Sequence, residues 1–240
     1  MIILNIGCGL KTSDTCINID WSPYLKLKRN VVLRTIASPF IGAVRRKRLS
    51  MISDNILAHD LRKPLPFSEG SVDAVYHSHV LEHIDRKSVP LLLSDIYRVL
   101  KAGGILRFSV PDWEVLCRAY LQHVEACESG TASLDEHESY IADMIEQCVR
   151  KEAYGSSQRG RMMRLVERVI LGDARARGET HQWMYDRFSL KFLLERVGFR
   201  DVAIRTWNDS EIPGWKDMGL ETNETGQEYK PGSLYIECRK

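Results

Sequence analysis

Three short apolar runs, each stopping on glycine or a polar residue, constrain the fold of this chain more than any other feature. Ile2 to Ile6 runs into Gly7-Cys8-Gly9, Cys16 to Asp20 closes on a carboxylate, and Val72 to Tyr76 gives way to histidine and serine. Unbroken runs of this length are the pattern of strands buried on both faces of a parallel sheet. A helical periodicity follows from about Lys87 to Leu100, carried by Val89, Leu92, Leu93, Ile96, Tyr97 and Leu100. Ala102-Gly103-Gly104 is expected to stop it, and a further run, Ile105 to Val110, is stopped by Pro111, which completes a β-helix-β unit. Residues 113–177 read as long, polar and helical, with breaks at Gly130 and between Gly155 and Gly160, and they contain no strand candidate. Ser189 to Val197 is a last helix closed by Gly198, before strands at Phe199 to Thr206 and Leu234 to Cys238. The pattern predicts one α/β domain over residues 1–240, a mostly parallel sheet with a basic insertion at about 21–53 and a helical lid at about 113–180 ahead of the last two strands.

Composition limits the remaining classes. Of 240 residues, 44% are hydrophobic and 28% charged, enough for a substantial core and incompatible with disorder, collagen or a coiled coil. The six cysteines form no C-x-x-C pair, so reduced thiols and no disulfides are expected. The N-terminus lacks a basic leader with a cleavage site, and no apolar run approaches the roughly 20 residues of a membrane span, so a cytoplasmic location is predicted. The net charge of +2 conceals an asymmetry: residues 24–49 hold eight basic side chains and no acidic one. Interleaved with Leu25, Leu27, Val31, Ile36 and Phe40, these make an amphipathic basic stretch that suits peripheral contact with the inner membrane face or a phosphorylated substrate, against the plainer reading of a solvated helix face.

The chemistry begins at Leu4-Asn5-Ile6-Gly7-Cys8-Gly9, where two glycines at a strand end let backbone approach a ligand closely. A dinucleotide site would add a third glycine and a helix to hold pyrophosphate. Here Lys11 stands near that place, and Leu10 to Thr15 are too few for a crossover helix. Asp20, closing the second run, can accept both hydroxyls of a ribose. A nucleoside without phosphates is the ligand these features share.

Four blocks in order then resemble a class I S-adenosylmethionine-dependent methyltransferase of the type 11-like group: Leu4 to Gly9; Ile17-Asn18-Ile19-Asp20; His59-Asp60-Leu61 with Leu65-Pro66-Phe67 and Ser71 to Val75; and Ser78-His79-Val80-Leu81-Glu82-His83 with Arg98 to Gly104. The resemblance covers Met1 to Val110 and implies a Rossmann-like sheet of the seven-stranded type and S-adenosylmethionine as cofactor. It places Asn5, Gly7, Cys8 and Gly9 along the methionine and ribose portions, Asp20 on the ribose, His59, Asp60 and Leu61 at the adenine, and Ser78 and His79 near the sulfonium. Asn5 replaces a commonly acidic residue, and the helix between the first two strands is missing. The block Glu179-Thr180-His181-Gln182-Trp183-Met184-Tyr185-Asp186 also resembles a shortened subgroup associated with polysaccharide and cell-envelope biosynthesis.

Methyl transfer to a hydroxyl needs a base, and His79, His83 and His181 are the candidates. His77, His79 and His83 could also be read as a metal array, but no metal site is expected, because alternation on a strand aligns the first two only while the strand lasts. Trp183 and Tyr185 could stack on an acceptor or belong to the core. Arg159, Arg161, Arg164, Arg168, Arg175 and Arg177 in the insertion predict a small-molecule or glycan acceptor that is phosphorylated or lipid-linked. The expected activity is therefore O-methylation of a saccharide or glycolipid precursor. Methylation of a secondary metabolite and a non-catalytic cofactor-binding regulatory protein are the alternatives; an NAD-dependent enzyme or a nucleic-acid methyltransferase fits less well.

Overall fold

In a computed structural model, the chain forms one seven-stranded sheet in the order β3-β2-β1-β4-β5-β7-β6. The structure describes residues 1–32, 35, 43–149 and 180–240. The strands are β1 (Ile3–Ile6), β2 (Ile17–Asp20), β3 (Leu57–Ala58), β4 (Val72–Ser78), β5 (Leu100–Pro111), β6 (Arg200–Arg205) and β7 (Ser233–Arg239). The pairings from β3 through to β5 are parallel, and β7 runs antiparallel to both β5 and β6. This is a Rossmann-like, mostly parallel α/β sheet that ends in an antiparallel strand pair. The helices are α1 (Pro23–Arg29), α2 (Ala43–Met51), α3 (Val89–Val99), α4 (Trp113–Glu128), α5 (His137–Val149), α6 (Arg187–Val197) and α7 (Trp215–Met218).

Two apolar layers sandwich the sheet. On one face Leu4, Ile6, Val75, Leu106 and Phe108 pack against Leu92, Leu93 and Ile96 of α3 and Leu190 and Leu194 of α6. On the other, Ile3, Ala74, Tyr76 and Ile105 meet Ile212, Trp215 and Met218. Period-two alternation along β4 thereby sends Val75 to the first layer and Tyr76 to the second. The Asp186 carboxylate caps α6 by accepting from the Phe188 and Ser189 amides, and Gly198, at φ 116°, ends it.

One expectation needs correction. Ala102-Gly103-Gly104 does not separate helix from strand: α3 already ends at Val99, and the glycines lie inside β5, where its register with β4 shifts. A Cβ at Gly104 would sit 2.9 Å from the Lys101 carbonyl, so glycine lets the strand bulge instead of ending. In the basic stretch, Tyr24, Leu25, Leu27 and Leu49 build a separate small core with Ile52 and Ile56. Within it Lys28 pairs with Asp54 at 2.7 Å, and the Arg29 guanidinium donates to the Ile56 carbonyl. The helical region after β5 is seen as α4 and α5, separated at Gly130 as expected, while its breaks between Gly155 and Gly160 and its arginines lie outside the described residues. No helix among the described residues is long and apolar enough to cross a membrane.

Candidate functional site

The sheet order reverses direction at β1, which has β2 on one side and β4 on the other. In such sheets ligands bind beyond the carboxyl ends of the strands at this switch point. A cavity of about 440 Å³ opens there, within the range of small-molecule and cofactor sites. Asn5, Gly7, Cys8 and Gly9 from β1 and its loop, Asp20 after β2, and Tyr76, Ser78 and His79 from β4 line it, joined by His83 and His181.

Gly7 and Gly9 both take positive φ, +65° and +55°. At Gly7 a Cβ would also lie 2.5 Å from Val80 Cγ2, whereas nothing lies within 4 Å of a Cβ at Gly9. One glycine is thus needed for packing and conformation, the other for conformation beside open space. The missing crossover helix is replaced by an amide lock. Asn5 and Asn18, paired in register on β1 and β2, share a 2.9 Å hydrogen bond. Asn5 Nδ2 also donates to the Lys11 carbonyl, and Asn18 Nδ2 to that of Ser13. Asn5 therefore fixes the glycine loop. Burial, with Asp20 nearby, pushes the Cys8 thiol up to about 12, so it stays a neutral wall. Asp20 accepts from the Trp21 amide at 2.8 Å while facing the cavity.

His59, Asp60 and Leu61 are outside the cavity lining. The Asp60 carboxylate takes a two-pronged bond from Arg62, both contacts 2.8 Å, which holds it below the usual carboxylate range. Leu61 packs against the main core. Trp183 and Tyr185 also lie off the cavity: the Arg86 guanidinium covers the Trp183 ring at 3.8 Å, and Tyr185 is core, its hydroxyl pushed up to about 12 by burial.

At the far end a histidine and a buried carboxylate form a chain. His79 leaves β4 with φ 53°, a left-handed conformation that costs a non-glycine residue about 1–3 kcal/mol. Its amide donates to the Ser109 carbonyl at 2.8 Å; its Nδ1 lies 3.2 Å from Glu82 Oε1 and its Nε2 2.8 Å from Ser233 Oγ. Glu82 is fully buried. Burial alone would raise its carboxyl, but the His79 bond and the charges of His79, His83 and His181 together bring it down to about 2. The Gln182 amide donates to the Glu82 carbonyl and its side-chain amide to the His83 carbonyl, 2.6 and 2.8 Å. These two bonds bring His181 to His83, ring centroids 4.8 Å apart. Ligand atoms of Glu82, His83 and His181 lie within 4.8 Å of one another. His77 takes no part in a metal array with His79 and His83: it stacks on Phe108 at 4.8 Å, and burial lowers it to about 3.

Sequence reading passed over Trp21, Tyr24, Tyr229 and Lys230, which also line the cavity. No motif marks them. Glu82 stands in the sequence as part of the Ser78 to His83 block.

Residues 4–108, a little under half of the chain, match a family model described as a methyltransferase domain. No curated protein matches the chain. Among solved structures the chain is similar to a SAM-dependent methyltransferase from Archaeoglobus fulgidus, 17% identical with a TM-score of 0.44, over 99% of this chain and 85% of that one. It is similar also to a possible histamine N-methyltransferase from Thermotoga maritima, 15% identical with a TM-score of 0.45, over 100% and 82%. A third is a methyltransferase from Mesorhizobium loti, 15% identical with a TM-score of 0.42, over 100% and 90%. The glycine loop and the strands β1, β2 and β4, whose carboxyl ends open on the switch-point cavity, all lie inside the matched segment 4–108.

Proposed function

We propose that this chain methylates a hydroxyl of a saccharide or glycolipid precursor in polysaccharide biosynthesis, with His79 as the general base. The observation that carries the reading is the buried Glu82–His79 pair opening into the cavity beside Ser233. S-adenosylmethionine, when bound, supplies a methyl carbon activated by a sulfonium. The residues present fit it: a cradle opening beside Gly9 and a carboxylate at Asp20 for the ribose hydroxyls. Gly7, Cys8 and Gly9 are assigned to the methionine and ribose portions, and Ser78 to the sulfonium end.

Glu82 stays ionised far below neutral pH, so the proton of His79 sits on Nδ1, toward the carboxylate. Nε2 is then left as the basic atom. Ser233 Oγ has the Lys230 carbonyl, 2.7 Å away, as a second acceptor, and turning to it frees Nε2 for an acceptor hydroxyl. A hydroxyl is the acceptor class that needs such a base, because its own proton is held at neutral pH, whereas a neutral amine attacks through its lone pair. His83 and His181 are assigned to hold the acceptor at this end. Lys11 and Lys230 stand 4.9 and 5.8 Å from the Tyr229 ring and put positive charge at the rim, which suits a phosphate-bearing sugar.

The test is incubation with methyl-labelled cofactor and matched neutral and phosphorylated sugar acceptors. Label on a sugar oxygen, with the phosphorylated acceptor preferred and the preference weakened by salt, is the expected result. Label on nitrogen or carbon, or full turnover by a His79→Ala variant, refutes the reading.

A further inference from the structure

Among the described residues, the α4–α5 hairpin buries polar groups where an ordinary helix pair buries an apolar seam. Val115 and Leu121 on α4 and Ile141 and Ile145 on α5 are exposed, while the one buried side chain on α4 is His123, at 6% exposure. Cys127, one turn further along the same face, places its Sγ 3.4 Å from His123 Nε2. His137, the first residue of α5, stacks on His123 with centroids 5.3 Å apart. The ligand atoms of all three lie within 4.8 Å of one another. His137 Nδ1 is shut away from solvent without a hydrogen-bond partner, a state that normally costs about 1–3 kcal/mol. Tyr140 stacks over His123 at 4.2 Å, the ring planes nearly parallel.

We propose that His123, Cys127 and His137 form a binding site for a zinc-class divalent cation that fastens this hairpin. Two imidazoles and a thiolate are borderline-soft ligands, and the absence of a carboxylate from the three disfavours calcium and magnesium. Bond lengths of about 2.0–2.1 Å to nitrogen and 2.3 Å to sulfur require ligands about 3.4–3.8 Å apart in a tetrahedron. The Cys127–His123 pair already has that spacing, and side-chain rotation of about 1 Å closes the rest. Three protein ligands leave the fourth position to water, and the thiol proton passes to solvent as the metal binds. The binding free energy of such a metal adds directly to the stability of the hairpin. The inference stands independently of the methyl-transfer reading.

The test uses the full chain, stripped of metal with a chelator and titrated with Co²⁺ alone. One equivalent is expected to give a sulfur-to-cobalt charge-transfer band and the visible spectrum of tetrahedral cobalt, both displaced by Zn²⁺. Cys127→Ser should abolish the band with the far-ultraviolet dichroism intact. His137→Gln should weaken cobalt binding by more than the roughly 10–100-fold typical of losing a supporting partner. His83→Gln, in the thiol-free cluster of the cavity, should leave the band in place. Hydrogen exchange should show zinc slowing the α4–α5 amides in the wild type and not in Cys127→Ser. A wild type without the thiolate band, a band that survives Cys127→Ser, or zinc that protects no hairpin amide overturns the proposal.

Discussion

Replacing Glu82 by Gln removes one charge from the interior and leaves the shape of the side chain almost unchanged. Glu82 does not line the cavity, so cofactor affinity should move by no more than about twofold. Catalysis should respond strongly. In the proposed mechanism His79 takes the acceptor's proton and becomes a cation 3.2 Å from the carboxylate oxygen. At an effective dielectric constant of about 20, that pair is worth about 5 kcal/mol. This matches the whole usual contribution of a general base, roughly 10²–10⁴-fold, or about 2.7–5.5 kcal/mol. The Gln amide can also donate to Nδ1, which moves the imidazole proton to Nε2 and blocks the base. The expected result is therefore a fall in kcat of about 10²–10⁴, with KM for the cofactor unchanged. His79→Ala should fall as far, and the double variant no further, because the two groups act as one unit. The assay is initial-rate methyl transfer under saturating cofactor, with calorimetry for cofactor binding. A Glu82→Gln enzyme keeping more than about a third of its kcat, or single losses that multiply in the double variant, would show that the pair is structural and the base lies elsewhere.

Other perturbations separate the roles of neighbouring residues. Gly7→Ala meets both a positive φ and Val80 at 2.5 Å and should cost about 2–5 kcal/mol of stability, against about 1–2 for Gly9→Ala; thermal unfolding that ranks them the other way contradicts the packing account. Asp20→Asn should lower cofactor affinity about 10–100-fold by calorimetry with little change in Tm, and unchanged affinity would remove Asp20 from the ribose assignment. The folded-state carboxyl of Glu82, at about 2 against an ordinary 4.5, stabilises the fold above pH 4.5 and loses that contribution as pH falls toward 2. The wild type should lose on the order of 3 kcal/mol more than Glu82→Gln across that window in denaturant titrations, and equal losses would place the acid sensitivity elsewhere. Leu194→Ala, fully buried between α6 and the sheet, should destabilise by about 2–5 kcal/mol without altering cofactor affinity per folded molecule.

Local chemistry decided the parts of this protein that its sequence reveals. The runs at β1, β2 and β4, the α3 periodicity and the Gly198 stop are properties of consecutive residues, and the glycine loop declares itself because few other residues tolerate its backbone. The two-residue β3 was not legible, since no pattern exists at that length, and the bulge at Gly103-Gly104 looked like a break because glycine serves both purposes. The family resemblance put His59, Asp60 and Leu61 at a cofactor edge, yet Arg62, two residues on, engages Asp60 by a contact that motif order does not show. What only tertiary structure decided is the polar end of the cavity. Ser233 reaches His79 across 154 positions and Gln182 reaches His83 across 99. The charge state of Glu82 follows from burial among histidines drawn from separate segments. Dielectric environment and hydrogen-bond partners are set by which segments the sheet brings together, so a residue's chemical role there is fixed only once the chain has closed around it.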